Sequence, residues 1–134
     1  MIVVDTTVLT ELFVQDVTPQ SVERLRRAHP VWAAPDLWRH ELINVMWKYL
    51  GIGWGDVSVA EEAMEEADLA MTDQTYRLSA GTVLSTALEF GISTYDAHFV
   101  ALARELGTVL YTHDRRLIAK CSELARHPDE CGAQ

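Results

Sequence analysis

The sequence lacks the features that place a chain in a membrane or in an export pathway. No apolar run reaches the roughly 18 consecutive residues that a transmembrane helix needs, and no basic segment precedes an apolar core at the N-terminus, as a secretory signal requires. The first residues, Met1-Ile2-Val3-Val4, lead directly into an acid, which predicts a strand from the start of the chain. We therefore expect a cytoplasmic protein that does not associate with membranes.

Cysteine is also scarce, and the chain shows no internal repeat, low-complexity segment or linker. The two cysteines, Cys121 and Cys131, have no neighbours at the spacing of metal ligands. In a cytoplasmic protein this predicts free thiols rather than a disulfide. The 134 residues predict a single domain, residues 1–134, that buries roughly two-thirds of the surface of the unfolded chain.

Positive charge is the minority, with 11 Lys and Arg against 20 Asp and Glu and a net charge of −9. Taken as a total, this balance argues against nonspecific binding to nucleic acid. The charges are unevenly distributed, however, because residues 49–76 hold seven acids and no Lys or Arg. The basic residues cluster elsewhere, at Arg24, Arg26 and Arg27, at Arg39, and at Arg115, Arg116 and Lys120.

Strand-like and helix-like segments alternate along the chain. Short apolar runs predict strands at residues 1–5, 31–34, 92–95 and 108–112. Apolar periodicity and capping residues predict helices at about residues 6–14, 18–28, 35–50, 56–71, 78–90, 96–106 and 114–125. Residues 126–134 have no apolar run and are expected to form a loosely ordered tail. Strands separated by helices predict an α/β fold, a three-layer α/β/α sandwich with a central parallel sheet of four or five short strands.

Four acidic residues are the candidates for chemistry. Asp5, Asp96 and Asp114 each follow a predicted strand at the start of a helix, and Glu41 borders the apolar face of the helix over residues 35–50. Helix capping alone explains any one of the three aspartates. The carboxyl ends of parallel strands meet in one crevice, where two carboxylates about 5 Å apart repel by roughly 3 kcal/mol. Mg²⁺ or Mn²⁺ removes this repulsion and prefers oxygen ligands, which indicates phosphate chemistry.

Three segments extend the pattern beyond the acids: MIVVDTTVLTEL, APDLWRHELINVMWKYL and STYDAHFVALARELGTVLYTHDRRL. In their order and spacing they resemble the PIN-domain ribonucleases, and specifically the VapC type of bacterial toxin. The resemblance covers about half of the chain, and its last segment, with Tyr-Asp-Ala followed by Thr-x-Asp-x-x-Leu, is the most specific part.

The resemblance implies a role for each acid and for several neighbours. It places a quartet of Mg²⁺ or Mn²⁺ ligands on Asp5, Glu41, Asp96 and Asp114. Thr7 and Thr112 fall on hydroxyl positions that support the first and the last acid, and Asn44 falls on a polar position facing the same site. Many relatives carry a further acid or amide where this chain has Arg115-Arg116, which leaves open whether one or two metal ions bind.

The function that the resemblance implies is that of a metal-dependent endoribonuclease, the toxin of a toxin–antitoxin pair, which hydrolyses RNA phosphodiester bonds with a metal-activated water. It implies RNA as substrate, a small cognate antitoxin as partner and a homodimer. We hypothesise that Arg39, Arg115 and Arg116 contact RNA phosphates, together with Arg24, Arg26 and Arg27. The alternative is a catalytically silent protein-interaction module with the PIN fold, and the presence of all four acids counts against it.

Three histidines lie near the acids or in the C-terminal segment, and none is assigned to the metal site. His113, next to Asp114, is a possible proton donor, but an exposed loop histidine is the favoured interpretation. His98 lies two residues after Asp96 on the same helix and is expected to point away from it. His127, in the C-terminal segment, is expected to lie at the surface.

Overall fold

A computed structural model describes residues 1–131 of the chain. Its five strands form one parallel sheet in the order β3-β2-β1-β4-β5. The strands are β1 (Ile2–Val4), β2 (Trp32–Pro35), β3 (Thr75–Tyr76), β4 (Leu110–Tyr111) and β5 (Ala125–Arg126). The helices are α1 (Thr6–Phe13), α2 (Gln20–Ala28), α3 (Leu37–Gly51), α4 (Val57–Met71), α5 (Ala80–Phe90), α6 (Thr94–Glu105) and α7 (Arg115–Lys120). The predicted three-layer α/β/α sandwich with a parallel sheet is confirmed.

The core is centred on β1 and on helix α6. β1 lies between β2 and β4, and its three apolar side chains are fully buried because sheet neighbours and helices surround them. Helix α6 contacts β1, β2 and β4, and its run from Phe99 to Ala103 is buried throughout. Small residues in that run, Ala101 and Ala103, let the helix lie close to the sheet. This packing fixes the position of the first turn of α6, which carries Asp96.

The strand predicted for residues 92–95 is wrong. Helix α5 ends at Gly91, whose φ of 63° is left-handed as predicted, and helix α6 begins at Thr94. Ser93 caps this helix, since its Oγ accepts a hydrogen bond from the backbone N–H of Asp96 at 3.1 Å. A short β-branched and aromatic run therefore joins two helices, because the serine cap favours a helix start over an extended strand. Asp96 lies within the first turn of α6 rather than after a strand.

The two edge strands were not predicted, because each is only two residues long and carries no apolar pattern. Backbone pairing joins both to the sheet: Ala34 N–H donates to the carbonyl of Gln74 at 3.0 Å beside β3, and Thr112 N–H donates to the carbonyl of Arg126 at 2.9 Å beside β5. The expectation of a loose tail from residue 126 differs from the structure, where Arg126 belongs to β5 and residues 128–130 form a 3₁₀ turn. Residues 132–134 of that tail lie outside the described residues.

Both cysteines are free and buried, as the sequence predicts. Among residues 1–131, no helix combines the length and the apolar character needed to cross a membrane.

Candidate active site

The parallel pairing of β1 and β4 brings Asp5 and the segment 112–114 together at the carboxyl edge of the sheet. Asp5 is the N-cap of α1, and one of its oxygens accepts from the backbone N–H of Thr7 at 3.1 Å and of Val8 at 3.4 Å. The hydroxyl of Thr7 donates to the same oxygen, and the hydroxyl of Thr112 donates to the other. The two threonines predicted to support the first and last acids thus both contact Asp5.

Asp114 lies two residues beyond Thr112 and caps α7. Its carboxylate accepts from the backbone N–H of Arg116 at 3.0 Å and of Leu117 at 3.1 Å. Its own N–H donates to the hydroxyl of Thr112 at 3.0 Å, so Thr112 connects Asp5 to Asp114. A small cavity of about 280 Å³ lies beside Asp114, and its lining includes Asp96, Arg116 and Lys120.

Glu41 reaches the same region from α3. The hydroxyl of Thr6, next to Asp5 in the chain, donates to the carboxylate of Glu41 at 2.7 Å. Glu41 and Thr7 line one open groove of about 620 Å³ between α1 and α3, together with Asn44, Lys48 and Tyr95. Asn44 therefore faces the groove that contains Glu41, one helical turn further along α3.

Burial raises the pKa values of Asp5, Glu41 and Asp96. Burial raises the pKa of Asp5 to about 6, although four hydrogen bonds to the carboxylate oppose the shift. Burial also raises the pKa of Glu41, and the charge of Asp96 adds to that effect. Burial and the charge of Asp114 raise the pKa of Asp96. The charge of Asp114 thus acts on Asp96, and the charge of Asp96 acts on Glu41. Asp5 is connected to Asp114 through the hydroxyl of Thr112.

Three of the six arginines that were predicted to contact phosphates differ in their positions. Arg116 lines the cavity beside Asp96 and Asp114, and Arg115 is exposed at the start of the same helix. Arg39 instead pairs with Asp68 of α4, with two hydrogen bonds of 2.9 and 3.0 Å between guanidinium and carboxylate. The structure therefore places Arg115 and Arg116, but not Arg39, beside the acids.

Sequence reasoning missed three residues that contact or influence the acids. Thr6 donates to Glu41. Lys120 lowers the pKa of Asp96 and donates to the carbonyl of Gly91 at 2.9 Å. The charge of His98 lowers the pKa of Glu41, although His98 points away from Asp96. The signal for Lys120 was available, because it lies four residues after Arg116 and hence on the same helical face.

Two histidine interpretations are wrong. His127, expected at the surface, is buried, with 7% of the residue exposed. His113 is not a free loop side chain, because its ring contacts the carboxylate of Glu11 on one side and the ring of His127 on the other. These contacts arise because β5 and the 3₁₀ turn bring residue 127 back beside residue 113.

The donor chemistry of the acidic residues fits a hard divalent cation. All four offer carboxylate oxygens, and within residues 1–131 none of them forms an ion pair with Lys, Arg or His. In the same residues, no three His, Cys, Asp or Glu side chains stand in a group that could hold a metal ion.

Comparison with known proteins shows the family of the chain. Residues 2–123 match the family described as the PIN domain. The chain belongs to the PIN domain family. Ribonuclease VapC3 of Pyrobaculum aerophilum is 30% identical to it over 122 residues, which cover 89% of this chain and 93% of that protein.

Solved structures share the fold of this PIN domain. The crystal structure of PAE2754 from Pyrobaculum aerophilum superimposes with a TM-score of 0.73 at 24% identity, covering 98% of this chain and 89% of that one. A toxin–antitoxin complex from Klebsiella pneumoniae gives a TM-score of 0.65 at 18% identity, covering 96% of this chain and 98% of that one. At these identities the likeness concerns the fold alone.

Proposed function

We propose that this PIN domain is a Mg²⁺- or Mn²⁺-dependent endoribonuclease and the toxin of a toxin–antitoxin pair. The observation that carries the proposal is that the Thr112 hydroxyl connects Asp5 to Asp114 and that Asp96 and Asp114 line one cavity. Neither these three acids nor Glu41 has an ion-pairing partner among residues 1–131. Burial raises the pKa values of Asp5, Glu41 and Asp96, and strongly shifted carboxyls are more typical of functional sites than of purely structural positions. The full-length similarity to Ribonuclease VapC3 supports the same activity.

The four acids would hold the metal, and the number of ions bound would be one or two. A bound Mg²⁺ or Mn²⁺ supplies an activated water and neutralises charge on the phosphodiester. The protein supplies the orientation of its ligands: Thr7 and Thr112 hold the Asp5 carboxylate from two sides, and Thr6 holds Glu41. A carboxylate that is already fixed loses little conformational entropy when it binds an ion.

The substrate is proposed to be single-stranded RNA. The groove beside Glu41 offers an exposed aromatic ring at Tyr95, 62% exposed, with Asn44 and Lys48 across from it. Unpaired bases stack on aromatic rings, and amides hydrogen-bond to base edges. Basic side chains at Arg115, Arg116 and Lys120 offer phosphate contacts on the other side of the acids, where they offset the overall charge of −9.

Arg116 and Arg39 form a matched pair for testing phosphate contacts. Arg116→Gln is expected to weaken RNA binding and to reduce the slope of log Kd against log salt by about 0.7, the value for one phosphate contact to a single strand. Arg39→Gln is expected to leave the slope unchanged, since Asp68 already binds this guanidinium. Fluorescence anisotropy with labelled RNA in EDTA, at four salt concentrations, measures both. Equal slopes for the two variants would exclude Arg116 as a phosphate ligand.

The proposed partners are a small antitoxin and a second copy of the chain. The similarity in fold to a toxin–antitoxin complex supports an antitoxin. Two pairs of exposed apolar residues at helical spacing support a homodimer: Ile43 and Trp47 on α3, and Leu84 and Leu88 on α5. Light scattering of the purified protein, without antitoxin, is expected to give twice the chain mass of 15.1 kDa. A mass of one chain at micromolar concentration would contradict the dimer.

The deciding experiment is cleavage of a circular RNA and its linear counterpart, with Mg²⁺ or Mn²⁺ against EDTA. Cleavage of the circle only when metal is present supports a metal-dependent endonuclease, because an exonuclease needs a free end. Cleavage of the linear RNA alone would leave a nuclease but not an endonuclease. No cleavage of either, together with no heat of metal binding in calorimetry, would favour the catalytically silent interaction module.

A further inference from the structure

The buried His127 lies outside the acidic site, and its ring has no contact with any of the four acids that would explain its burial. It is the N-cap of the 3₁₀ turn at residues 128–130, where capping needs only a small polar side chain. Its ring reaches beyond the turn to contact His113, with ring centroids 4.8 Å apart and planes at 87°. Burial lowers the pKa of His127, so the neutral imidazole is the form to consider at neutral pH.

When both rings are neutral, the hydrogen bonds fix the position of the proton on each ring. The backbone N–H of Asp129 donates to Nδ1 of His127 at 3.1 Å, so in the neutral ring the proton is on Nε2. This Nε2 lies 3.2 Å from Nδ1 of His113, to which it donates. Nδ1 of His113 is then an acceptor, and its proton is on Nε2, which faces the carboxylate of Glu11. A backbone amide thus determines the tautomers of two successive histidines.

The backbone of His113 extends this chain of hydrogen bonds to the acidic site. Its N–H donates to the hydroxyl of Thr7 at 3.1 Å, and Thr7 in turn donates to Asp5. The neighbouring residues in the chain are Thr112, which donates to the other oxygen of Asp5, and Asp114. The ring of His113 therefore anchors the centre of the segment that carries two groups of the site.

We propose that His127 is a positioning residue of the nuclease site. It holds the His113 ring in the Nε2–H tautomer between itself and Glu11, and so it keeps Thr112 and Asp114 in register with Asp5. The inference rests on the proposed nuclease function and adds to it a contribution from the segment after β5. The expected effect falls on the rate of cleavage rather than on RNA binding, because His127 lies behind the loop and not in the groove beside Glu41.

Two substitutions at His127 separate the cap from the contact with His113. In His127→Asn the side-chain oxygen can still accept from the N–H of Asp129, as an N-cap does, but the side chain is too short to reach His113. In His127→Gln the amide N–H can occupy the place of Nε2 and donate to His113, but the cap is lost. His127→Asn is therefore expected to lower kcat more than His127→Gln does, although it does not lower Tm more.

For His127→Asn we expect kcat to fall about tenfold, the equivalent of one positioning hydrogen bond, with KM within twofold and a fall in Tm no larger than that of His127→Gln. For His127→Gln we expect kcat near that of the wild type and Tm lower by about 3–6 °C. Asp129→Asn serves as a control, since it removes a carboxylate 3.4 Å from His127 and leaves the backbone N–H in place. A kcat that follows Tm across the variants would overturn the inference.

A second readout does not depend on nuclease activity. Long-range ¹H–¹⁵N correlation spectra of the full-length protein at pH 7.5 report the tautomer of each ring. We expect Nε2–H for both His127 and His113, and a mixture of tautomers for His113 in His127→Asn. A dominant Nδ1–H form of either ring in the wild type would overturn the inference. If the wild type cleaves RNA and His127→Asn matches its kcat, the positioning role fails alone; if the wild type cleaves no RNA, the proposed function fails with it.

Discussion

Replacing Asp96 by asparagine is expected to lower the rate of RNA cleavage by about a thousandfold or more without unfolding the protein. A neutral amide is a much weaker metal ligand than a carboxylate, and losing about 4 kcal/mol of transition-state stabilisation corresponds to this factor. Asp96 is the informative position because its charge raises the pKa of Glu41, while the charge of Asp114 raises the pKa of Asp96 itself. Single-turnover cleavage of a fluorogenic RNA in saturating Mn²⁺ measures the effect.

Stability is the necessary companion measurement. Burial and the charge of Asp114 raise the pKa of Asp96, so the charged form is disfavoured in the folded protein and its removal is expected not to lower Tm. Asp73→Asn, at an exposed aspartate in the turn after α4, is the matched control and is expected to cleave at the wild-type rate. Activity of Asp96→Asn within tenfold of the control would remove Asp96 from the proposed metal site.

Asp5→Asn is expected to make the protein more stable at neutral pH while it abolishes cleavage. The folded-state pKa of Asp5 is about 6, above the ordinary aspartate value of 3.8, so the folded state keeps a proton that the unfolded state has released. The free energy of unfolding therefore falls as pH rises from about 4 to 6, and the loss persists above pH 6. The shift corresponds to roughly 2 to 3 kcal/mol. Urea titrations in EDTA between pH 4 and pH 8 measure this difference against the wild type.

Asp56 is the internal control for Asp5, because the two caps have the same local structure. Asp56 accepts from the N–H of Ser58 at 3.0 Å and of Val59 at 3.3 Å, and also from the hydroxyl of Ser58. It is exposed, and these hydrogen bonds lower its pKa. Asp56→Asn is thus expected to reduce stability slightly above the pKa of the carboxylate, the opposite sign to Asp5→Asn. The same sign for both variants would refute the burial argument.

The comparison of these two caps shows what local sequence can and cannot predict. Both aspartates were recognisable as helix starts, because each stands before a hydroxyl residue and an apolar helical stripe. Their opposite pKa shifts were not recognisable, since Asp5 alone follows a central strand and contacts the distant Thr112. Local hydrogen bonding is encoded within a few residues, whereas desolvation depends on segments that are distant in the chain.

The same distinction accounts for the elements that were missed. The run at residues 92–95 has the composition of a strand, yet Ser93 caps a helix whose position is fixed by the packing of α6 against β1, β2 and β4. Strands β3 and β5 have almost no apolar signal, because a two-residue edge strand is held by the backbone of its neighbour rather than by its own side chains. The burial of His127 follows from β5, and it was not predicted because β5 was not predicted.

The sequence by itself determined the α/β class, the parallel sheet and most helix boundaries, because periodicity and caps are local properties, and residue chemistry alone singled out the four acids as candidates. The tertiary structure decided which residues share the site. Pairing of β1 with β4 put Thr112 on Asp5, the contact between α1 and α3 put Thr6 on Glu41, and Asp68 drew Arg39 away. Those outcomes depend on how distant segments pack, which no local pattern records.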